Sequence, residues 1–149
     1  MLKPTKILVP TDFSEYSDKA LKQAFDIAKH YKAKVYVLHV VHEKISHTID
    51  DYGLTAPESI KIMEWELINT AKMKLQKRID KFPQAKELEV FIDVVLGNPS
   101  EEILKAQSEK GIDLIVIASL GRTGIAKYLI GSVARNVLKG AKCPVLLTK

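Results

Sequence analysis

Five short apolar runs punctuate this chain: Lys6–Pro10, Val35–Val41, Glu89–Leu96, Leu114–Ala118 and Val145–Thr148. Most are nearly continuous in hydrophobicity rather than alternating, the pattern of strands buried on both faces. The segments between them carry apolar residues three and four apart, as Leu21, Ala24, Phe25, Ala28 and Tyr31 do, or Met63, Leu67, Ala71, Leu75 and Ile79. That spacing puts one apolar stripe on a helix. Strand and helix thus alternate strictly, which leaves few folds. Parallel strands need crossovers, crossovers are right-handed, and helices must cover both faces of the sheet. The chain predicts an α/β fold, a doubly wound, Rossmann-like five-stranded parallel sheet in the order 3-2-1-4-5 with helices on both faces.

Helix ends are marked locally. Asp12 or Ser14 can cap the first helix, with Glu15 in its first turn. Asn98-Pro99-Ser100-Glu101 supplies a cap, a proline at the first position and an acid at the third, and Lys110-Gly111 supplies a basic last turn and a glycine stop. A fourth helix is predicted from Val133 to Lys139. Residues 42–57 show no period and contain Gly53 and Pro57, so they read as a surface loop long enough for a lid or contact role. No internal repeat or composition shift divides residues 1–149, which read as one domain.

Composition narrows the class. At 149 residues, 46% apolar and 28% charged, the chain can bury a sizeable core. No apolar run approaches the roughly 18 residues that span a bilayer, so no membrane association is expected. The start of the chain leads straight into a strand, without the shape of a signal peptide. A single cysteine, Cys143, excludes an internal disulfide framework and fits a reducing compartment. These features together predict a cytoplasmic protein. The net charge of +5 is uneven, because residues 114–149 hold six basic side chains and no acidic one. A basic end suits a phosphorylated ligand. Nucleic acid is disfavoured, since no aromatic-interleaved basic stripe and no recognisable binding module accompany it.

In a doubly wound sheet, ligands bind at the carboxyl ends of strands where the winding reverses, here between strands 1 and 4. The loops at that point are Pro10-Thr11-Asp12 and Ala118-Ser119-Leu120-Gly121-Arg122-Thr123-Gly124, the latter closed by Gly131-Ser132 where the next helix begins. Glycines let backbone amides approach an anion, and a helix N-terminus offers unpaired donors with a favourable dipole. Arg122 and Lys127 can add charge. The segment points to a nucleotide or another phosphorylated ligand. Asp12 can accept hydrogen bonds from ribose hydroxyls or base N–H groups, or cap the first helix, and different oxygens can do both. Val40 and Val41 end strand 2 next door, where an apolar strand end can hold an adenine ring; core packing explains them equally well.

Other chemistries find less support. No glycine is followed by Lys and Ser/Thr in a Walker A pattern, and no G-x-G-x-x-G precedes an acidic residue about 20 positions on. His39, His42, Glu43 and His47 suggest a metal site, but residues three apart on a strand point to opposite faces. Ser132 has no general base near it in sequence and no G-x-S-x-G elbow. Cys143 precedes Pro144 at the start of a strand, a position of burial rather than reactivity. No dedicated catalytic constellation is legible.

Taken together, the motifs resemble the universal stress protein family over essentially the whole chain. Lys6-Ile7-Leu8-Val9-Pro10-Thr11-Asp12-Phe13-Ser14 is similar to that family's opening strand and loop, and Leu38-His39-Val40-Val41 to its second strand end. Gly121-Arg122-Thr123-Gly124, Leu129-Ile130-Gly131-Ser132-Val133 and Cys143-Pro144-Val145-Leu146 resemble its C-terminal signature. Its ATP-binding members carry G-x-x-G-x9-G-[S/T]. Gly131-Ser132 aligns with the last pair and Gly121 with the second glycine, so Ala118 stands where the first glycine falls. By resemblance, Asp12 and Val40 contact adenosine, Pro10 and Thr11 line the pocket, and Ala118, Gly121, Arg122, Gly131, Ser132 and Val133 surround the phosphates. The resemblance implies ATP, with Mg²⁺ bridging its phosphates, and AMP or ADP as further occupants. Ala118 is expected to weaken binding if its position needs φ > 0 or the closest phosphate approach, whereas an extended backbone would tolerate it.

Family members also pair through the last strand, and Val145–Thr148 is an apolar edge that fits a homodimer. The expectation is an ATP-dependent stress-response switch or adaptor with an unidentified protein partner and at most slow hydrolysis. The alternatives are a nucleotide-independent dimeric interaction module and, last, a small-molecule enzyme using the same pocket.

Overall fold

In the computed structural model of the chain, residues 2–42, 57–121 and 130–149 are described. They form β1 (Lys6–Pro10), α1 (Glu15–Tyr31), β2 (Lys34–His42), α2 (Pro57–Ile79), a 3₁₀ helix (Pro83–Glu87), β3 (Val90–Gly97), α3 (Pro99–Lys110), β4 (Leu114–Ala118), α4 (Ser132–Gly140) and β5 (Val145–Thr148). The strands lie in the order β3-β2-β1-β4-β5, and every pairing is parallel. This is the sheet the strand–helix alternation predicts. Of the 42–57 loop reading, His42 instead closes β2 and Pro57 opens α2, while residues 43–56 lie outside the described residues, as do Arg122, Gly124 and Lys127.

Alternation along each strand splits the core into two layers. Ile7 and Val9 of β1, with Val35 and Val37 of β2, pack against Leu21 and Phe25 of α1 and Leu75 and Ile79 of α2. Leu8, Leu38, Ile115 and Ile117 face the other way and meet Ile103 of α3 and Val137 of α4. Helices therefore cover both faces. The apolar stripe of α2 is buried at Ala71, Leu75 and Ile79, while Met63 and Leu67 are half-exposed. Tyr31 ends the α1 stripe outside the core and is exposed.

The helix ends follow their local chemistry. Ser14 is the N-cap of α1, accepting from Ser17 N at 3.2 Å. Asn98 caps α3 by accepting from Glu101 N at 3.2 Å, and Gly111 ends it at φ 63°, a left-handed conformation that glycine adopts without a Cβ clash. Two features have no clear local signal. The 3₁₀ helix is held by Phe82, whose ring lies edge-on to Phe25 at 5.6 Å. The ion pair of Arg78 Nη1 with both Asp18 oxygens, 2.7 and 2.6 Å, ties α2 to α1 across 60 residues. At the sheet's other end, Asp113 accepts from Thr5 N and Lys6 N at 3.0 Å and joins the start of β1 to that of β4. Among the described residues no helix is long and apolar enough to cross a membrane.

Candidate functional site

The β1–α1 loop is built by its own side chains. Thr11 N donates to Leu38 O at 2.9 Å, fixing the loop to β2 as it leaves the sheet. Thr11 Oγ1 lies 2.9 Å from Ser17 Oγ and accepts from Phe13 N at 3.2 Å. Asp12 Oδ1 accepts from Ser14 N at 3.0 Å, supporting the residue that caps α1. Phe13 takes the left-handed backbone at φ 66°, unusual for a bulky residue, and its ring is buried against His39 with centroids 4.2 Å apart. His39 Nδ1 lies 2.8 Å from Thr11 O. Tertiary packing thus over-determines a tight turn that presents Asp12 at the end of β1.

Across the switch point, Ser119 binds at both ends. Its N–H donates to Thr148 O at 2.8 Å and its carbonyl accepts from Gly131 N at 2.7 Å, so the start of α4 is closed back onto the end of β4. A methyl at residue 131 would stand 3.3 Å from Ser119 O and 3.9 Å from Gly121 N, so glycine suits this close approach. Gly131 is also the N-cap of α4 and brings no side-chain cap. The first amides of a helix have no intrahelical acceptor. In α1 and α3 a side chain caps that turn; in α4 the turn of Ser132, Val133 and Ala134 borders a cleft.

That cleft, about 270 Å³, opens at the carboxyl ends of β1 and β4. Of the residues the sequence nominates, Pro10, Thr11, Asp12, Val40, Ala118, Gly121, Gly131, Ser132 and Val133 all line it. Arg122 lies outside the described residues. One half of the cleft is apolar, with Leu38, Val40, Ile103, Ile117 and Pro99; the other is backbone and hydroxyl. Asp12 is the one ionisable side chain among its described lining residues. Val41 is not in it. Residue 41 points to the opposite face of the sheet and packs in the α1–α2 core, as strand alternation dictates.

Ala118 closes β4, paired with Thr148, and is not among the positive-φ residues. The conformational reason for expecting a penalty at this position therefore falls away. Its side chain packs toward the α1–α2 core while the residue borders the cleft.

Sequence reasoning missed Pro99 and Ile103 because α3 belongs to a different crossover and meets the cleft only through the fold. Ser17 was legible in principle, as a small polar residue on the buried stripe of α1. Among the described residues no group of three or more His, Cys, Asp or Glu could hold a metal ion, and Glu43 and His47 lie outside them.

Comparison with known proteins places this geometry in a family. The pattern of the universal stress protein family matches residues 4–149. Universal stress protein MJ0531 of Methanocaldococcus jannaschii is 36% identical over 144 residues, covering 97% of this chain and 81% of the relative. Universal stress protein MJ0577 of the same organism is 36% identical over 156 residues, covering 97% and 94%. The solved structure of MJ0577 superposes with a TM-score of 0.83 at 31% identity, covering 99% of this chain and 97% of that one. A universal stress protein from Archaeoglobus fulgidus solved in complex with dAMP shares the fold, with a TM-score of 0.59 at 24% identity, 99% of this chain and 100% of the other being covered. The chain belongs to the universal stress protein family.

Proposed function

We propose that this protein binds an adenine nucleotide, ATP in the first instance, in the cleft between the ends of β1 and β4. The observation that carries the reading is the pairing of an apolar slot with an uncapped helix start in one cavity. Leu38 and Val40 offer a flat apolar surface for a base, and Asp12 a carboxylate for ribose or base donors. The first turn of α4 and the Gly121 backbone offer amides to phosphate. The dAMP-bound family member supports an adenine ligand. Mg²⁺ would ride on phosphate oxygens, since the described cleft residues offer one carboxylate and no cage.

In this reading the protein is a switch or adaptor: nucleotide held against the glycine segment alters a surface that a protein partner reads. Hydrolysis is slow at most, because Asp12, the one ionisable side chain among the described cleft residues, is the group assigned to the ribose or base. A homodimer through β5 accompanies the function. β5 is an edge strand whose Leu146 is 37% exposed, and such an edge needs a partner or a cover.

Thermal unfolding of nucleotide-stripped protein tests the reading, with ATP–Mg²⁺, AMP and GTP in parallel. Ligand at 100 times its Kd stabilises the native state by about 2.7 kcal/mol. A rise with ATP and none with GTP is expected. No rise with any adenine nucleotide at millimolar concentration would leave the nucleotide-independent dimeric module as the better reading.

A further inference from the structure

Helix α2 has a second apolar face, which no described element of the fold covers. Ile62, Trp65 and Met73 are 59%, 67% and 66% exposed, although large apolar side chains of this kind are usually buried. With Asn69 and Gln76 they form a stripe at intervals of three, four, four and three residues, on the side of α2 away from Ala71, Leu75 and Ile79. Trp65 is the only tryptophan of the chain. Tryptophan and methionine are enriched where proteins meet.

The stripe has a centre. Ile62 and Gln76 lie seven residues to either side of Asn69, and Trp65 and Met73 lie four to either side. Turned about a two-fold axis at Asn69, the stripe meets itself with Trp65 of one copy against Met73 of the other, an aromatic–thioether contact, and Ile62 against Gln76. Charge selects the same orientation. Residues 57–68 carry Glu58, Glu64 and Glu66 against Lys61, whereas residues 70–79 carry Lys72, Lys74, Lys77 and Arg78 with no acid. Arg78 is already paired with Asp18 and Lys74 sits over the Phe13 ring at 4.5 Å, so Lys72 and Lys77 carry the basic character of that half. An antiparallel arrangement sets the acidic half of one helix beside the basic half of the other and opposes the two helix dipoles; a parallel one stacks like on like.

We propose that the outer face of α2 is a second self-association surface, on which two copies of this chain pair antiparallel about Asn69. It is independent of the β5 edge. α2 packs on β2 and β3, at the opposite end of the sheet from β5, so both interfaces can be occupied at once. Two different two-fold contacts on one chain build assemblies larger than a dimer.

Directed disulfide formation tests the geometry in a C143S background, which removes the native thiol. Asn69→Cys is expected to form a covalent dimer under mild oxidation, because the two copies of residue 69 meet on the axis. Ile62→Cys and Gln76→Cys should each fail to link to themselves, since their symmetry mates stand roughly 20 Å away along the helix, yet link to one another when the two proteins are mixed. Adding W65E and M73E, both surface changes, should abolish the Asn69→Cys dimer while circular dichroism stays unchanged. Leu146→Asp, aimed at the β5 edge, should leave that dimer intact, which separates this proposal from the β5 one. In the unmodified protein, Trp65 emission should shift to the blue as concentration rises. Self-linking of I62C or Q76C at the rate of N69C, or no dimer and no emission shift at all, overturns the proposal, and a face reserved for a different partner would give the latter result.

Discussion

The Asp12 carboxylate stands against the backbone of Gly121, so near that a methyl on residue 121 would lie 2.6 Å from Oδ2. The other oxygen, Oδ1, is held by Ser14 N at 3.0 Å. One short side chain thus links the β1–α1 turn to the glycine segment, and residue 121 needs to be glycine because of Asp12 rather than because of its own backbone angles.

Gly121→Ala must therefore push the carboxylate out of its place. Asp12 is short and tethered by Oδ1, so it has little freedom to yield. We expect ATP affinity to fall about tenfold or more, equivalent to about 1.4 kcal/mol. Calorimetric titration of the variant against the parent checks this; equal affinities would mean that the Asp12 position has no bearing on the ligand.

Ala118→Gly is expected not to bring the gain in affinity that the family pattern suggests. Residue 118 has strand geometry and its methyl packs toward the core. Affinity should stay within a factor of about two, while stability drops by roughly 0.5–1 kcal/mol from the added chain entropy of glycine. Paired urea melts and titrations separate the two effects. Clear tightening would show that the methyl intrudes on the phosphates.

The carboxyl of Asp113 titrates below its ordinary range. Partial burial acts to raise its pKa, but the hydrogen bonds from the Thr5 hydroxyl and the Lys6 and Thr5 amides outweigh it. A group with a depressed folded pKa contributes stability above its unfolded value, about 3.8 here, and loses that contribution as pH falls through the folded value. Urea melts between pH 6 and pH 2 should show an acid limb that Asp113→Asn flattens. An identical limb in both proteins would assign the acid sensitivity elsewhere.

Partial burial, together with the charge of Asp113, pushes the Cys143 thiol up from its ordinary value. The thiolate is the reactive form, so alkylation by iodoacetamide at pH 8 should run slower than that of an unstructured cysteine peptide. Asp113→Asn removes the repelling charge and should speed it. Mass spectrometry of timed samples reads both rates; a peptide-like rate in the parent protein would contradict this environment.

On the β5 edge, Leu146→Asp places a charge where a second chain is expected to seat. The variant should run as a smaller species in light scattering without losing its ATP response, because Leu146 does not line the cleft. An unchanged mass would move the dimer contact away from β5.

The helix caps, strand runs and cleft differ in how far they can be read from sequence. Ser14, Asn98 and Gly111 act through bonds to residues at most a few positions away, so their roles are visible locally. The switch point is also legible, since crossover handedness and strand order follow from the alternation of elements. Asp12, Gly121 and Gly131 could thus be nominated together. Pro99 and Ile103 could not, because α3 reaches the cleft over the sheet. Val40 and Val41 look alike in sequence, and only their place in the alternating strand sends one to the cleft and the other to the core.

Sequence alone determined the parallel sheet, its winding and the loops that meet at its reversal, because apolar periodicity, capping and crossover handedness are local or nearly so. Tertiary structure decided what those loops do to each other. It set Asp12 on Gly121, brought Pro99 and Ile103 of α3 to the cleft, and, among the described residues, left the Ile62–Trp65–Met73 face uncovered. Each of these depends on distances between segments far apart in the chain, which packing fixes and local spacing does not.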